Sequence, residues 1–108
     1  MAISVPIGLN DVEIQEYRRI QARFVDYLPT RLKELKVFQS AVEQKACLHR
    51  LAGAASSYGF NELGDLAVGL EASLQLTEQP LRNQDLSGLS EAIEKTIITY
   101  TKENAYGN

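Results

Sequence analysis

His49 is the one imidazole in the chain, and its neighbourhood is the stretch whose residue types and spacing best support covalent chemistry. A neutral imidazole is nucleophilic and titrates near physiological pH, so it can attack an electrophile or move a proton. At 100° per residue, Lys45, His49, Ala52, Gly53 and Ser56 fall in one sector of a helix, beside a sector formed by Leu48, Leu51, Ala55 and Tyr58. A histidine on that border rests its ring against the core and keeps one nitrogen in water. Ala52 and Gly53, one turn on, are small enough to leave an open shelf beside the ring. Glycine inside a helix costs about 1 kcal/mol relative to alanine, and access of a partner to the imidazole would offset that cost. Lys45, one turn before His49, and Arg50, next to it, could supply positive charge, with Lys45 the better placed. Ser56, two turns away, could donate a hydrogen bond.

Each of these residues also has a plainer reading. A single histidine in a helical protein is more often structural or merely exposed. Gly53 alone would be a helix-packing glycine, and Gly59 a helix cap. Lys45 and Arg50 are by default solvated charges. Cys47 points elsewhere on the wheel and reads as a small buried filler.

The elements that must position His49 are helical throughout. Apolar residues recur at three-four spacing, and no long alternating pattern appears. Asn10 and Glu13 have the spacing of a helix cap with a reaching carboxylate. The stripe that follows is Ile20, Phe24, Tyr27, Leu28, Leu32, Leu35 and Phe38. Pro29 lies within it and should break or kink the helix near Leu28, giving one bent helix or two stacked ones. Ser40-Ala41-Val42-Glu43 is a fuller capping box, so a helix should begin at Ala41 and end at Gly59 in a left-handed cap. Asn61 is expected to cap a third helix with the stripe Leu63, Leu66, Leu70 and Leu74. Gly64 and Gly69 within that helix suggest close backbone packing. Residues 78–83, with Pro80, form the connection. Asp85 or Ser87 should cap a last helix with Leu86, Leu89, Ile93, Ile97 and Tyr100 inward.

Short connections favour antiparallel neighbours. The expected fold is therefore all-α, an up-down-up-down antiparallel four-helix bundle, with the N-terminal segment extending the first helix or packing as a short extra one. A chain of 108 residues holds a single domain, 1–108, whose first nine or so and last five or so residues are expected to fray.

His49-Arg50-Leu51-Ala52-Gly53, followed by Gly59 and then Leu63, resembles the signature of the histidine phosphotransfer family: His, any residue, Leu, usually Lys, Gly, then Gly and Leu further on. Leu70-Glu71 is similar to the Leu-Glu that the family usually carries in the following helix. The resemblance implies a phosphorelay. A phosphoaspartate of a response-regulator receiver domain gives its phosphoryl group to one nitrogen of His49, expected to be Nε2, and the aspartate of another receiver takes it. It also implies a hybrid sensor kinase among the partners, magnesium on the partner receiver, and no cofactor of the chain's own. Docking would use the helix of His49 and the preceding one. Ala52 departs from the pattern, standing where the family usually has lysine, and leaves the phosphoryl charge to Lys45 or Arg50.

Composition bounds the remaining classes. The net charge of −3 supplies no basic field for nucleic acid or anionic lipid, and Arg18, Arg19 and Arg23 read as a solvated local patch. A single cysteine cannot form an intramolecular disulfide. No apolar run approaches a membrane span, and the first nine residues do not read as a signal peptide, so a cytoplasmic monomer is expected. An enzyme with its own turnover is disfavoured by the lack of a second histidine, a Gly-rich phosphate cradle or paired metal ligands. A reading from another class is a non-phosphorylated helical adaptor that binds a partner through the same face. A third is the dimerisation and phosphoacceptor part of a sensor kinase, which the resemblance disfavours because those sequences place an acid where Arg50 stands.

Overall fold

The computed structural model describes residues 6–37 and 40–106. It contains four α-helices, α1 Asp11–Val37, α2 Ala41–Ser57, α3 Asn61–Thr77 and α4 Ser87–Tyr106, and no strand among the described residues. Each helix packs on its neighbours in sequence, and α4 closes the ring on α1. Cross-helix contacts fix the directions. Tyr17 at the start of α1 reaches the carbonyl of Ser57 at the end of α2, and Tyr100 late in α4 donates to the carbonyl of Arg18. These are the antiparallel pairings of an up-down-up-down bundle.

Local capping explains where the first two helices begin. The Glu13 N–H donates to Asn10 Oδ1 at 2.8 Å and the Asn10 N–H to Glu13 Oε1 at 3.2 Å, a reciprocal box at the head of α1. Ser40 Oγ accepts from the Glu43 N–H at the head of α2. The end of α2 is a Schellman turn. Gly59 adopts φ +88°, its N–H meets the Ser56 carbonyl, and the Phe60 N–H meets the Ala55 carbonyl at 2.8 Å. Gly59 thus turns the chain tightly into α3, and the turn places Phe60 in the core, fully buried and stacked on Phe24 at 5.2 Å.

Several expectations need correction. Of the arrangements left open around Pro29, the single helix is the one that forms: α1 runs unbroken for 27 residues, with no split and no separate N-terminal helix among the described residues. Buried Leu28 and Leu35 anchor both sides of the proline in one core. The buried face of α1 is also rotated from the expected stripe. Gln21, Val25, Leu28 and Leu35 are buried, whereas Ile20 and Tyr27 are exposed. Gln21 is accepted inside because its amide donates to the Tyr58 carbonyl at 2.7 Å. Phe38 and Met1–Val5 lie outside the described residues, and α4 continues to Tyr106, into the segment expected to fray.

Asn61 does not cap α3. Phe60 occupies the cap position without a side-chain bond, since the turn that buries its ring leads straight into the helix. Asp85 and Ser87 do not act as the expected cap either. Asp85 accepts from the Arg82 N–H at 2.8 Å and closes the turn before α4, while Ser87 Oγ donates to the Gln84 carbonyl. In α3, Leu66 is partly exposed, and Gly64 and Ala67 take the inward positions beside Leu63 and Leu74.

Buried Gln44 ties three segments together. Its amide nitrogen donates to the carbonyls of Leu35 and Leu81, and its oxygen accepts from the Leu81 N–H at 2.7 Å. The α3–α4 connection is thereby held against the junction of α1 and α2, and the polar side chain is satisfied in the interior.

Candidate functional site

The α2–α3 seam sets the geometry around His49. Gly64 lets the two backbones approach: a methyl group at its position would stand 3.4 Å from the Ala52 carbonyl oxygen and 3.6 Å from the Ala55 Cβ. Gly69, by contrast, faces open space, so close packing does not explain it. With the hairpin turning about Phe60, residues equally far from it in sequence meet across the seam. His49 lies eleven residues before and Glu71 eleven after, and Glu71 faces His49.

His49 sits at the middle of α2 with its side chain 77% exposed, while that of Glu71 is only 19% exposed. The Glu71 carboxylate lies 3.1 Å from His49 Nδ1 through Oε2 and 3.4 Å through Oε1. A carboxylate can only accept in such a bond, so Nδ1 carries the proton and donates. The second ring nitrogen, Nε2, then holds the lone pair and is the nucleophilic position. In chemical terms the arrangement is an oriented, tautomer-selected imidazole presented to solvent.

Lys45, Arg50 and Glu71 line one shallow recess with His49, and Val42 and Ala46 supply its apolar part. The structure therefore places Lys45 and Arg50 on the lining of the same recess as the imidazole. Neither cation has a carboxylate within ion-pair distance among the described residues. Gly53 is exposed, and a Cβ placed on it would meet nothing within 4 Å, so it forms the open shelf. Ala52 does not share that shelf. It is 7% exposed and its carbonyl packs under Gly64, in the seam. Ser56 is exposed but stands outside the recess, about 10 Å further along the helix axis from His49.

Glu71 is the member that residue spacing alone did not assign. Its signal was the equal distance of residues 49 and 71 from the helical turn at Phe60. Cys47 is fully buried, and burial raises its thiol pKa, with smaller contributions from Arg31 and Arg50, which oppose the shift, and from Glu34, which adds to it. It faces away from the recess. Among the described residues no group of three potential metal ligands occurs, and no helix is long and apolar enough to cross a membrane.

The described helices form a four-helix bundle with an exposed histidine at the middle of the second helix, and the comparison with family models places that bundle in a class. The Hpt domain model matches residues 19–98. The chain belongs to the Hpt family, whose members serve phosphotransfer in two-component phosphorelays, interacting with receiver domains and kinases. Comparisons with curated proteins and with solved structures gave no match.

Proposed function

We propose that His49 is the phosphoacceptor of this domain, taking a phosphoryl group on Nε2 from a receiver's phosphoaspartate and returning it to the aspartate of a second receiver. The observation that carries the reading is the Nδ1 contact with Glu71, made while the ring stays open to solvent. Nε2 attacks phosphorus, the Nε2–P bond forms, and the P–O bond to the donor aspartate breaks, with the carboxylate leaving on its electron pair. The imidazole becomes a phosphoimidazolium that keeps its Nδ1 proton. Glu71 faces the positive charge that develops there, so it favours the step electrostatically. In the reverse step the leaving group is the neutral imidazole, with the proton still on Nδ1 and no proton transfer required.

Lys45 and Arg50 are assigned to the phosphoryl oxygens. They border the recess and replace the cation missing at Ala52. Gly53 leaves room for the incoming receiver, while Ser56 is too remote for the role. Phosphoryl transfer depends chiefly on alignment and charge stabilisation, and the receiver's own carboxylates would hold the magnesium ion. On this reading the domain acts as a monomer, docks receivers and the kinase that feeds them, and turns over no substrate by itself.

The test is incubation with phosphorylated receiver domains. The expected product is a label on the chain that survives alkali and is lost in acid, and that His49→Gln abolishes. Label retained by that variant refutes the assignment. Receiver binding without any label would instead support the helical adaptor.

A further inference from the structure

Between α1 and α2 runs an open groove of about 480 Å³, within the roughly 300–1,000 Å³ range of sites that take small molecules. Its charges are all of one sign. Arg23, Arg31 and Arg50 line it, and no aspartate or glutamate does, although the chain as a whole carries −3. Arg23 and Arg50 have no carboxylate within ion-pair distance among the described residues. Arg31 pairs with Glu34 at 3.3 Å and lies over the Tyr27 ring, 4.8 Å from its centre.

The helix directions order these groups along the groove. Arg23 and Arg31 are eight residues apart on α1, about 12 Å of helix rise. Gln21 meets Tyr58 and Leu35 meets Gln44, so Arg31 and Arg50 share one end and Arg23 marks the other. The walls between them are aromatic. Tyr27 is 48% exposed, and Phe24 meets Tyr58 edge to face at 5.8 Å. The recess of His49 includes Arg50 but neither Arg23 nor any of these rings, so phosphoryl transfer leaves most of the groove without a use.

We propose that the α1–α2 groove is a binding site for a small planar aromatic anion, its ring laid against Tyr27 and Phe24 and its phosphate or carboxylate held by Arg31 and Arg50. Guanidiniums suit both parts of such a ligand, because their planar forks match phosphate and carboxylate oxygens while their faces stack on rings. Arg23, at the far end, faces an acceptor on the ring edge. Nucleotides and aromatic acids share this chemistry. A ligand seated there engages Arg50, so the groove and the recess of His49 have one side chain in common.

The experiment titrates the full chain with AMP and, separately, with naphthyl phosphate, following backbone amide shifts by NMR. Adenosine and inorganic phosphate serve as the two halves of the ligand. At least one of the two probes should saturate with a dissociation constant below about 1 mM, with shifts centred on α1 and α2 along the groove. Each half alone should bind at least about tenfold more weakly. Arg23→Gln and Tyr27→Ser, both at exposed positions, should each weaken binding several-fold, whereas Leu76→Ala on α3 should not. Saturation by AMP alone assigns a nucleotide, by naphthyl phosphate alone an aromatic acid, and by both the shared chemistry. Absence of saturation with either probe, shifts centred elsewhere, inorganic phosphate binding as tightly as the probes, or unchanged affinity in both groove variants overturns the site. No receiver enters the titration, so its failure leaves transfer at His49 untouched.

Discussion

Replacing Glu71 separates the tautomer argument from everything else in the site. Its carboxylate stands 3.1 Å from His49 Nδ1 on the rim of the α2–α3 seam, and the ring beyond it is largely in water. Hydrogen bonds to charged groups contribute about 1.5–3 kcal/mol when shielded. With the imidazole exposed, solvent screening reduces this to at most about 1 kcal/mol. If the whole contribution is expressed in the transition state, where the ring acquires positive charge, Glu71→Ala should slow transfer by up to about fivefold. Glu71→Gln keeps an acceptor for the Nδ1 proton but removes the charge, so its rate should fall between the two. Rapid-quench measurement at saturating receiver reads the chemical step, and nitrogen NMR of the free protein reads the tautomer. The Nδ1–H form should dominate in the wild type and decline in Glu71→Ala. The midpoint of thermal unfolding should hardly move, because the pair is not part of the core. An Ala variant with wild-type rate and wild-type tautomer would refute the reasoning.

Gly53 and Gly64 should respond in opposite ways. Gly53→Ala meets nothing within 4 Å and should stabilise the domain by about 0.5–1 kcal/mol, whereas Gly53→Leu should slow transfer from a receiver by covering the shelf. Gly64→Leu should destabilise by about 1–3 kcal/mol in a denaturant titration, because its side chain must enter the seam against Ala52 and Ala55. Gln44→Leu removes the acceptor for the Leu81 N–H and should cost about 1–3 kcal/mol by the same assay. Cys47 gives a pH dependence. Burial raises its pKa in the fold, so the native state holds the thiol proton more tightly than the unfolded chain does. Its contribution is complete below the unfolded thiol pKa and is lost as pH rises through the folded one. Stability measured from neutral to alkaline pH should therefore decline above the ordinary thiol range, and Cys47→Ala should flatten that decline.

Features set by neighbouring residues were readable in the sequence. The Asn10–Glu13 and Ser40–Glu43 caps and the left-handed Gly59 depend on a few adjacent residues, and they occur where their patterns stand. Features set by tertiary packing were not. Asn61 has the chemistry of a cap, but burial of Phe60 carries the chain directly into α3. The inward face of α1 includes a glutamine, which a hydrophobic stripe cannot reveal, because the carbonyl that satisfies it belongs to Tyr58 on another element. Pro29 left one bent helix or two stacked ones open on local grounds, and with buried leucines packed on both sides the helix runs on through it.

The site divides in the same way. His49, Lys45, Arg50 and Gly53 share one face or one turn of α2, so helical periodicity was enough to group them. Ala52 was placed on that face by the same wheel, yet the approach of Gly64 draws it into the seam. Glu71 needs the register of the hairpin, which a tight turn at Gly59 and close contact at Gly64 determine jointly. That register converts a lone imidazole into an oriented one.

Identifying the phosphorylated atom tests the central claim most directly. The chain is phosphorylated by a receiver and examined by phosphorus–nitrogen correlated NMR with nitrogen-labelled histidine. The account predicts coupling of phosphorus to Nε2 of His49, with the proton retained on Nδ1 beside Glu71. Phosphorus on Nδ1, or on any side chain other than His49, would contradict it.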